Sequence, residues 1–480
     1  MANFGQLRGA FVVLAAPQVN NAGSIVTSAG TTVLAAGGRV TLDIAGDRLV
    51  SMSVDAATAD AAVRNSGSIE ADGGRVFMSA SSANAVLDTV INTSGIVRAA
   101  SMVERNGQIV IDGGGAGVVQ VSGTLAASGG AAGATGGTVK VLGEKVALLA
   151  GAQINVSGDA GGGSALLGGD LHGAGGVPTA AYTEVAQGAL IHADALTRGN
   201  GGTVVVWADQ HTDFAGSISA KGGAGGGDGG LVETSGKHTL AFSGSVTTSA
   251  VKGATGTLLL DPTDITISTS AGTASGGVSV VNVGVLTSAL GSNNVVLDSA
   301  SGEASLGNIT VATGVSYASG NSLTLKAQGG ISVNAAIQNT GGGAVRLYGD
   351  GAIRAGSVST LGGAVEIKGY AGGASKAGAL TGGAIVSAGG NVLAQARGPV
   401  STGSINAGAG TIAVSSDANL LVNGALVSAN TGVSAIVLQA GATALAGAGA
   451  GGDISVTGSL ATGAGGRATL YTAPLPAATV

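Results

Sequence analysis

The chain has 480 residues, 91 of them Gly and only 6 Pro, with 45% apolar, 2% aromatic and 10% charged side chains. Val and Ile in every window exclude a disordered chain, the lack of a three-residue glycine period excludes collagen, and the absence of Cys excludes a disulfide framework or thiolate metal site. A net charge of −6, with the 20 Lys and Arg scattered singly, leaves no basic track for a nucleic-acid backbone.

From the N-terminus, Ala10–Ala16 after Arg8 has the outline of a signal-peptide core, but it is short and runs on into Pro17–Ile25, which reads as strand and turn. A corner motif then recurs: Asn21-Ala-Gly-Ser-Ile25, Asn65-Ser-Gly-Ser-Ile69 and Asn92-Thr-Ser-Gly-Ile96, echoed at Ser122–Leu125, Gly151–Ile154 and Thr457–Leu460. Asn and Gly tolerate the left-handed backbone region, so each motif is expected to be a tight corner delivering a branched residue into the next strand. If the corners stack, Asn side chains lie above one another and can form amide ladders. Asp43, Asp47 and Asp55 come nearest to the carboxylate group that a polysaccharide-cleaving site would need, and turn corners are their plainer role.

The glycine-rich stretch Gly161–Gly176, ending at Pro178, is expected to be a loop leaving the fold. Beyond it, Thr203–Val206, Ser217–Ser219, Leu231–Val232, Ser245–Val246 and Thr257–Leu260 follow at short intervals, each entered through glycine. No crossover helix fits between them. The cluster Gly222–Gly230 matches a nucleotide-binding glycine pattern loosely, but a strand-like Leu231-Val-Glu-Thr follows where a helix must open. Gly230 to Lys237 also misses the phosphate-loop pattern, with His238 where Ser or Thr should hold magnesium. A single Asp228 is no repeated calcium turn, so the cluster is expected to be a corner.

Asp209, His211 and Asp213 are the best isolated metal candidate, since an extended strand projects all three to one face. The same alternation describes a solvated outer face, so no metal, cofactor or catalytic residue is assigned. Trp207 is expected to cap the core or pack in a loop, and His172, His192 and His238 to lie on the surface.

Short apolar strands with corners at near-regular spacing define an all-β chain, a parallel β-helix (solenoid) with short extra-helical loops, in which each coil buries its apolar face only against its neighbours. Coils of about 20 residues stacked at about 4.8 Å would make roughly two dozen layers. No run of about 18 bulky apolar residues is present, and the few aromatic residues cannot furnish the girdles of a transmembrane barrel. A seam is expected at Leu258–Ile265, where Pro262 interrupts the ladder. The expected regions are residues 1–260, with the stronger repeats, 261–465, a continuing β-helix of looser repeats, and 466–480, a frayed tail.

Val13–Ile25, Val33–Asp43, Gly46–Leu49 and Val90–Val97 resemble exoproteins related to filamentous haemagglutinin, exported by two-partner secretion. So do Gly201–Asp209, Phe214–Ala220, Gly229–Glu233, Gly256–Ile265, Gly307–Val311, Ser322–Ala327 and Ile331–Ala335. The resemblance is dense over residues 10–345. It implies a right-handed β-helix adhesin of a Gram-negative bacterium, secreted or held at the cell surface and outer membrane, with an outer-membrane transporter as export partner. Such proteins begin with a signal peptide and a secretion domain bearing an Asn-Pro-Asn-Gly-type motif. Neither is read here, so the chain is expected to correspond to the region downstream.

The expected function is therefore a non-enzymatic adhesin-type rod that binds a host or bacterial surface glycan or protein through many weak contacts, with self-association through terminal coils. A β-helical polysaccharide-degrading enzyme, or a secreted scaffold presenting a ligand site or toxin, is the alternative.

Overall fold

A computed structural model describes residues 1–44, 50–82, 89–103, 105–270, 277–299, 307–369, 378–441 and 452–472. Asp47 and the side chains of Asp43 and Asp55 lie outside the described residues. The chain divides into two compact units, Met1–Asp261 and Pro262–Val480, cut within the Leu258–Ile265 run.

Each unit is a parallel β-helix. In the first, a coil consists of a long strand, a second strand after a sharp bend, and a short third strand, as in Thr203–Ala208, His211–Phe214 and Ser217–Ser219. Each strand pairs in parallel with its equivalent one coil on, Thr203 with Leu231, His211 with Thr239 and Ser217 with Ser245. Because side chains alternate along a strand, this register places like positions in vertical rows. One interior row runs Thr32, Val76, Ile109, Val139, Ala165, Val204, Val232, Leu258, all fully buried. Another runs Ile25, Ile69, Val97, Leu125, Ile154, Ile191, Ile218, Val246. Branched aliphatics suit a thin interior that each layer closes for the next.

A third row changes chemistry along its length: Asn3, Asn21, Asn65, Thr93, Val121, Leu148, Val185, Phe214, Phe242. At its start the expected amide ladder forms. Asn3 Nδ2 donates to Asn21 Oδ1 at 2.8 Å, Asn21 Nδ2 to Asn65 Oδ1 at 2.8 Å, and Asn65 Nδ2 to Thr93 Oγ1 at 3.2 Å. At its end Phe214 and Phe242 stack with ring centres 5.5 Å apart.

The corner glycines serve a different purpose from the one expected. Gly23, Gly67, Gly95 and Gly123 do not have positive φ; a Cβ on Gly67 would lie 2.0 Å from the Gly23 carbonyl oxygen, and one on Gly95 2.0 Å from that of Gly67. They are small because successive corners stack in contact.

Beyond the first coil, which spans 18 residues from Asn3 to Asn21, coils of the first unit are longer than the expected 20 residues: Asn200 contacts Asp228, 28 residues on. The end of the Val33–Asp43 segment leaves the coil in an antiparallel pair of strands, Arg39–Ile44 with Val50–Ala56.

In the second unit the spacing varies, from 20 residues between Asn391 and Thr411 to 28 between Asn294 and Ser322. Its interior rows are Val295, Leu323, Val345, Val365, Val392, Ile412, Ile436 and Ile309, Ile331, Ile353, Leu380, Val400, Leu420. Among the described residues one α-helix, Val283–Leu290, departs from the expected all-β chain. Asn282 caps it, its Oδ1 accepting from the N–H groups of Gly284 and Val285, and Leu286 and Leu290 are buried. Near the C-terminus, Ala468–Tyr471 is a strand paired with Ile436–Gln439.

Candidate functional site

The strand Thr203–Ala208 is buried on both sides. Val204, Val206 and Ala208 face the interior, yet the outward Val205 and Trp207 are 0% and 2% exposed. Their cover is the segment from Gly168 to Ala180, which leaves the coil after Ser164–Leu167 and folds back over the outer face. Leu171 packs against Leu166, Val205 and Trp207. The glycines are placed where the cover meets the indole: a Cβ on Gly169 would lie 2.8 Å from Trp207 Cδ1, and one on Gly173, at φ +64°, 2.6 Å from Trp207 Cζ2. Asp170 begins a tight turn over Leu171–Gly173, its Oδ1 accepting from Leu171 N at 2.8 Å.

Asp209 fastens the other end of the cover. Its carboxylate accepts from Thr179 Oγ1 at 2.7 Å and from Trp207 Nε1 at 3.3 Å, and its N–H donates to Ala180 O at 2.7 Å. The alternation expected for the Asp209, His211 and Asp213 set holds for the last two, which face outward from the strand His211–Phe214. The three do not form a ligand cluster: Asp209 is turned to the cover, His211 Nδ1 is 2.9 Å from Thr239 Oγ1, and Asp213 is exposed.

Three other groups converge where the cover meets the sheet. The outward row beneath it reads Leu166, Val205, Glu233, Leu259, so a carboxylate interrupts an apolar series. Glu233 is 0% exposed, and His172 N–H donates to its Oε2 at 3.0 Å and Oε1 at 3.3 Å. Asp261, 1% exposed, lies one row over; its Oδ2 is 2.9 Å from His172 Nδ1 and its N–H donates to Ser235 Oγ at 3.1 Å. Nδ1 is also 3.9 Å from Glu233 Oε1. Among the described residues, His172, Glu233 and Asp261 are the set of potential metal ligands whose donor atoms all lie within 4.8 Å of one another.

His172 holds this geometry from a left-handed backbone, φ +56°, a region that His enters more readily than most side chains. Its imidazole, 40% exposed, leaves the cluster open to solvent on one side. Burial pushes the Glu233 carboxyl up to about 7; the His172 N–H, the His172 charge and Ser235 oppose this, and the Asp261 charge adds to it. Chemically the arrangement can exchange a proton near neutrality or hold a cation with one nitrogen and two oxygen donors.

His172 is exposed, as its sequence context implies, while nothing in the local sequence singles out Glu233 or Asp261 for chemistry. The signal that points here is the run Thr203-Val-Val-Val-Trp207: continuous apolar character on a strand means both faces are covered. The glycine cluster Gly222–Gly230 is a corner, as expected. The strand Leu231–Gly236 follows it, and Asp228 Oδ1 accepts from Ala254 N at 2.8 Å.

In the second unit the outer face carries a paired network. Tyr348 OH donates to Glu366 Oε2 at 2.5 Å, and Lys368 Nζ lies 3.4 Å from the same oxygen and 5.3 Å from the Tyr348 ring centre. The Tyr348 hydrogen bond, with Lys368 and Arg346 nearby, holds Glu366 below the usual carboxylate range.

No protein-family model matches the chain, and no curated protein matches it. Among solved structures it is similar to the HMW1 secretion domain from Haemophilus influenzae, at 27% identity and a TM-score of 0.42, covering 53% of this chain and 66% of that one. The match spans just under two thirds of that domain's length. No helix among the described residues is long and apolar enough to cross a membrane.

Proposed function

We propose that this chain is part of an exported, adhesin-type exoprotein, carried across the outer membrane by a dedicated transporter and acting at the cell surface or after release. What supports the reading is the in-register stack of coils at the repeated corner motifs Asn21–Ile25, Asn65–Ile69 and Asn92–Ile96, the first and third of which lie in the haemagglutinin-like stretches Val13–Ile25 and Val90–Val97. Such a stack offers repeated surface rather than a single pocket, and many weak contacts along it sum to firm attachment. The reading assigns no active site, and a surface glycan or protein is the partner class.

The test is attachment of beads coated with the purified chain to cultured host cells and to bacteria. Removing whole coils from the second unit should lower attachment in graded steps. Abolition by one point substitution that leaves the fold intact, or release of reducing ends from a polysaccharide, would replace this reading with a localised binding or catalytic site.

A further inference from the structure

We propose that His172, Glu233 and Asp261 bind a divalent transition-metal ion of the zinc class, which fastens the Gly168–Ala180 cover to the sheet. The donor set is one imidazole nitrogen and two carboxylate oxygens, the mixture that suits zinc and its neighbours; calcium prefers six to eight oxygens. The spacing fits as well. Donors about 2.0–2.1 Å from a tetrahedral zinc ion stand about 3.3 Å apart, and the distances of 2.9 Å and 3.9 Å from His172 Nδ1 to Asp261 and Glu233 bracket that value.

The position of Glu233 supports the same conclusion. Leu166, Val205 and Leu259 show what the covered row otherwise holds, and a carboxylate there, beside a second buried carboxylate, loses hydration that an apolar side chain would never need. A divalent ion offsets both charges at once. The two carboxylates come from the rigid sheet and the imidazole from the cover, so coordination joins the two parts. Three protein ligands leave a further position on the solvent side for water or an external donor. Coordination requires Nδ1 unprotonated and Glu233 ionised, so the protons they give up pass to solvent.

The experiment uses the full chain stripped with EDTA and titrated with Zn²⁺ by calorimetry, with Co²⁺ absorbance reporting the donor set. The wild type should bind one ion, and zinc should slow amide exchange and proteolysis across residues 168–180. His172→Ala, which truncates a half-exposed side chain on the cover, and Glu233→Gln, an isosteric change, should each weaken binding at least about tenfold. His211→Ala and His192→Ala should bind as the wild type does. Absence of stoichiometric binding by the wild type, undiminished binding by His172→Ala, or loss in His211→Ala instead would overturn the proposal.

Discussion

The outer faces of the two units are built in opposite ways on similar interiors. In the first unit the outward side of the long strands turns apolar at Leu166, Val205 and Trp207, and a glycine-rich segment folds over them. In the second, Arg346, Tyr348, Glu366 and Lys368 pair among themselves across neighbouring coils and stay partly exposed. Both units bury unbroken rows of Val, Ile and Leu inside. A β-helix needs only its inner face dry, so its outer face is free to vary, and a covered outer face is where convergent side chains can be shielded from water.

The largest expected effect separates the two faces directly. Trp207→Ala removes the side chain that the cover is shaped around and should cost the first unit about 3–5 kcal/mol. Urea denaturation should show a shifted transition for that unit, with early proteolysis between Gly168 and Ala180. The second unit's transition should stay where it is.

The pH dependence of the first unit should follow. Because the folded Glu233 carboxyl is raised from 4.5 to about 7, the folded chain keeps a proton that the unfolded chain has lost between those values. Stability therefore falls as pH rises through that window and levels off above it, by on the order of 3 kcal/mol. Denaturation midpoints measured in EDTA across the window should show the fall, and Glu233→Gln should remove it.

Asn21→Ala breaks the amide ladder in the middle, leaving the buried Asn65 Oδ1 without its donor and Asn3 Nδ2 without its acceptor. A loss of about 1–3 kcal/mol is expected, read from the same unfolding curves. The smallest effect belongs to the open network: Tyr348→Phe deletes the hydrogen bond to Glu366 at the surface and should cost at most about 1 kcal/mol. If Tyr348→Phe proved as damaging as Trp207→Ala, the contrast between the faces would be lost.

Much of the architecture follows from local pattern. Alternation in strands such as Ile109–Ile111 and Leu323–Leu325 separates inner from outer positions, and the spaced Asn residues form a buried ladder. The corner glycines were legible as corners but not for the right reason, since the contact that demands them comes from the coil next door. The antiparallel strands Arg39–Ile44 and Val50–Ala56 and the helix at Val283–Leu290 lay outside the repeat logic. The helix has a recognisable cap in Asn282, yet eight residues of Val, Gly, Leu, Thr, Ser and Ala carry too little periodicity to separate helix from strand.

By itself the sequence determined the winding: branched aliphatics at every second position, glycine and asparagine at the bends, and too few aromatic or charged groups for any thicker core. Only the tertiary structure decided that His172 meets Glu233, 61 residues on, and Asp261, 89 residues on. That meeting depends on the register that stacks one coil on the next and on a loop returning to the outer face, and both are fixed by contacts between layers rather than by the neighbours of each residue along the chain.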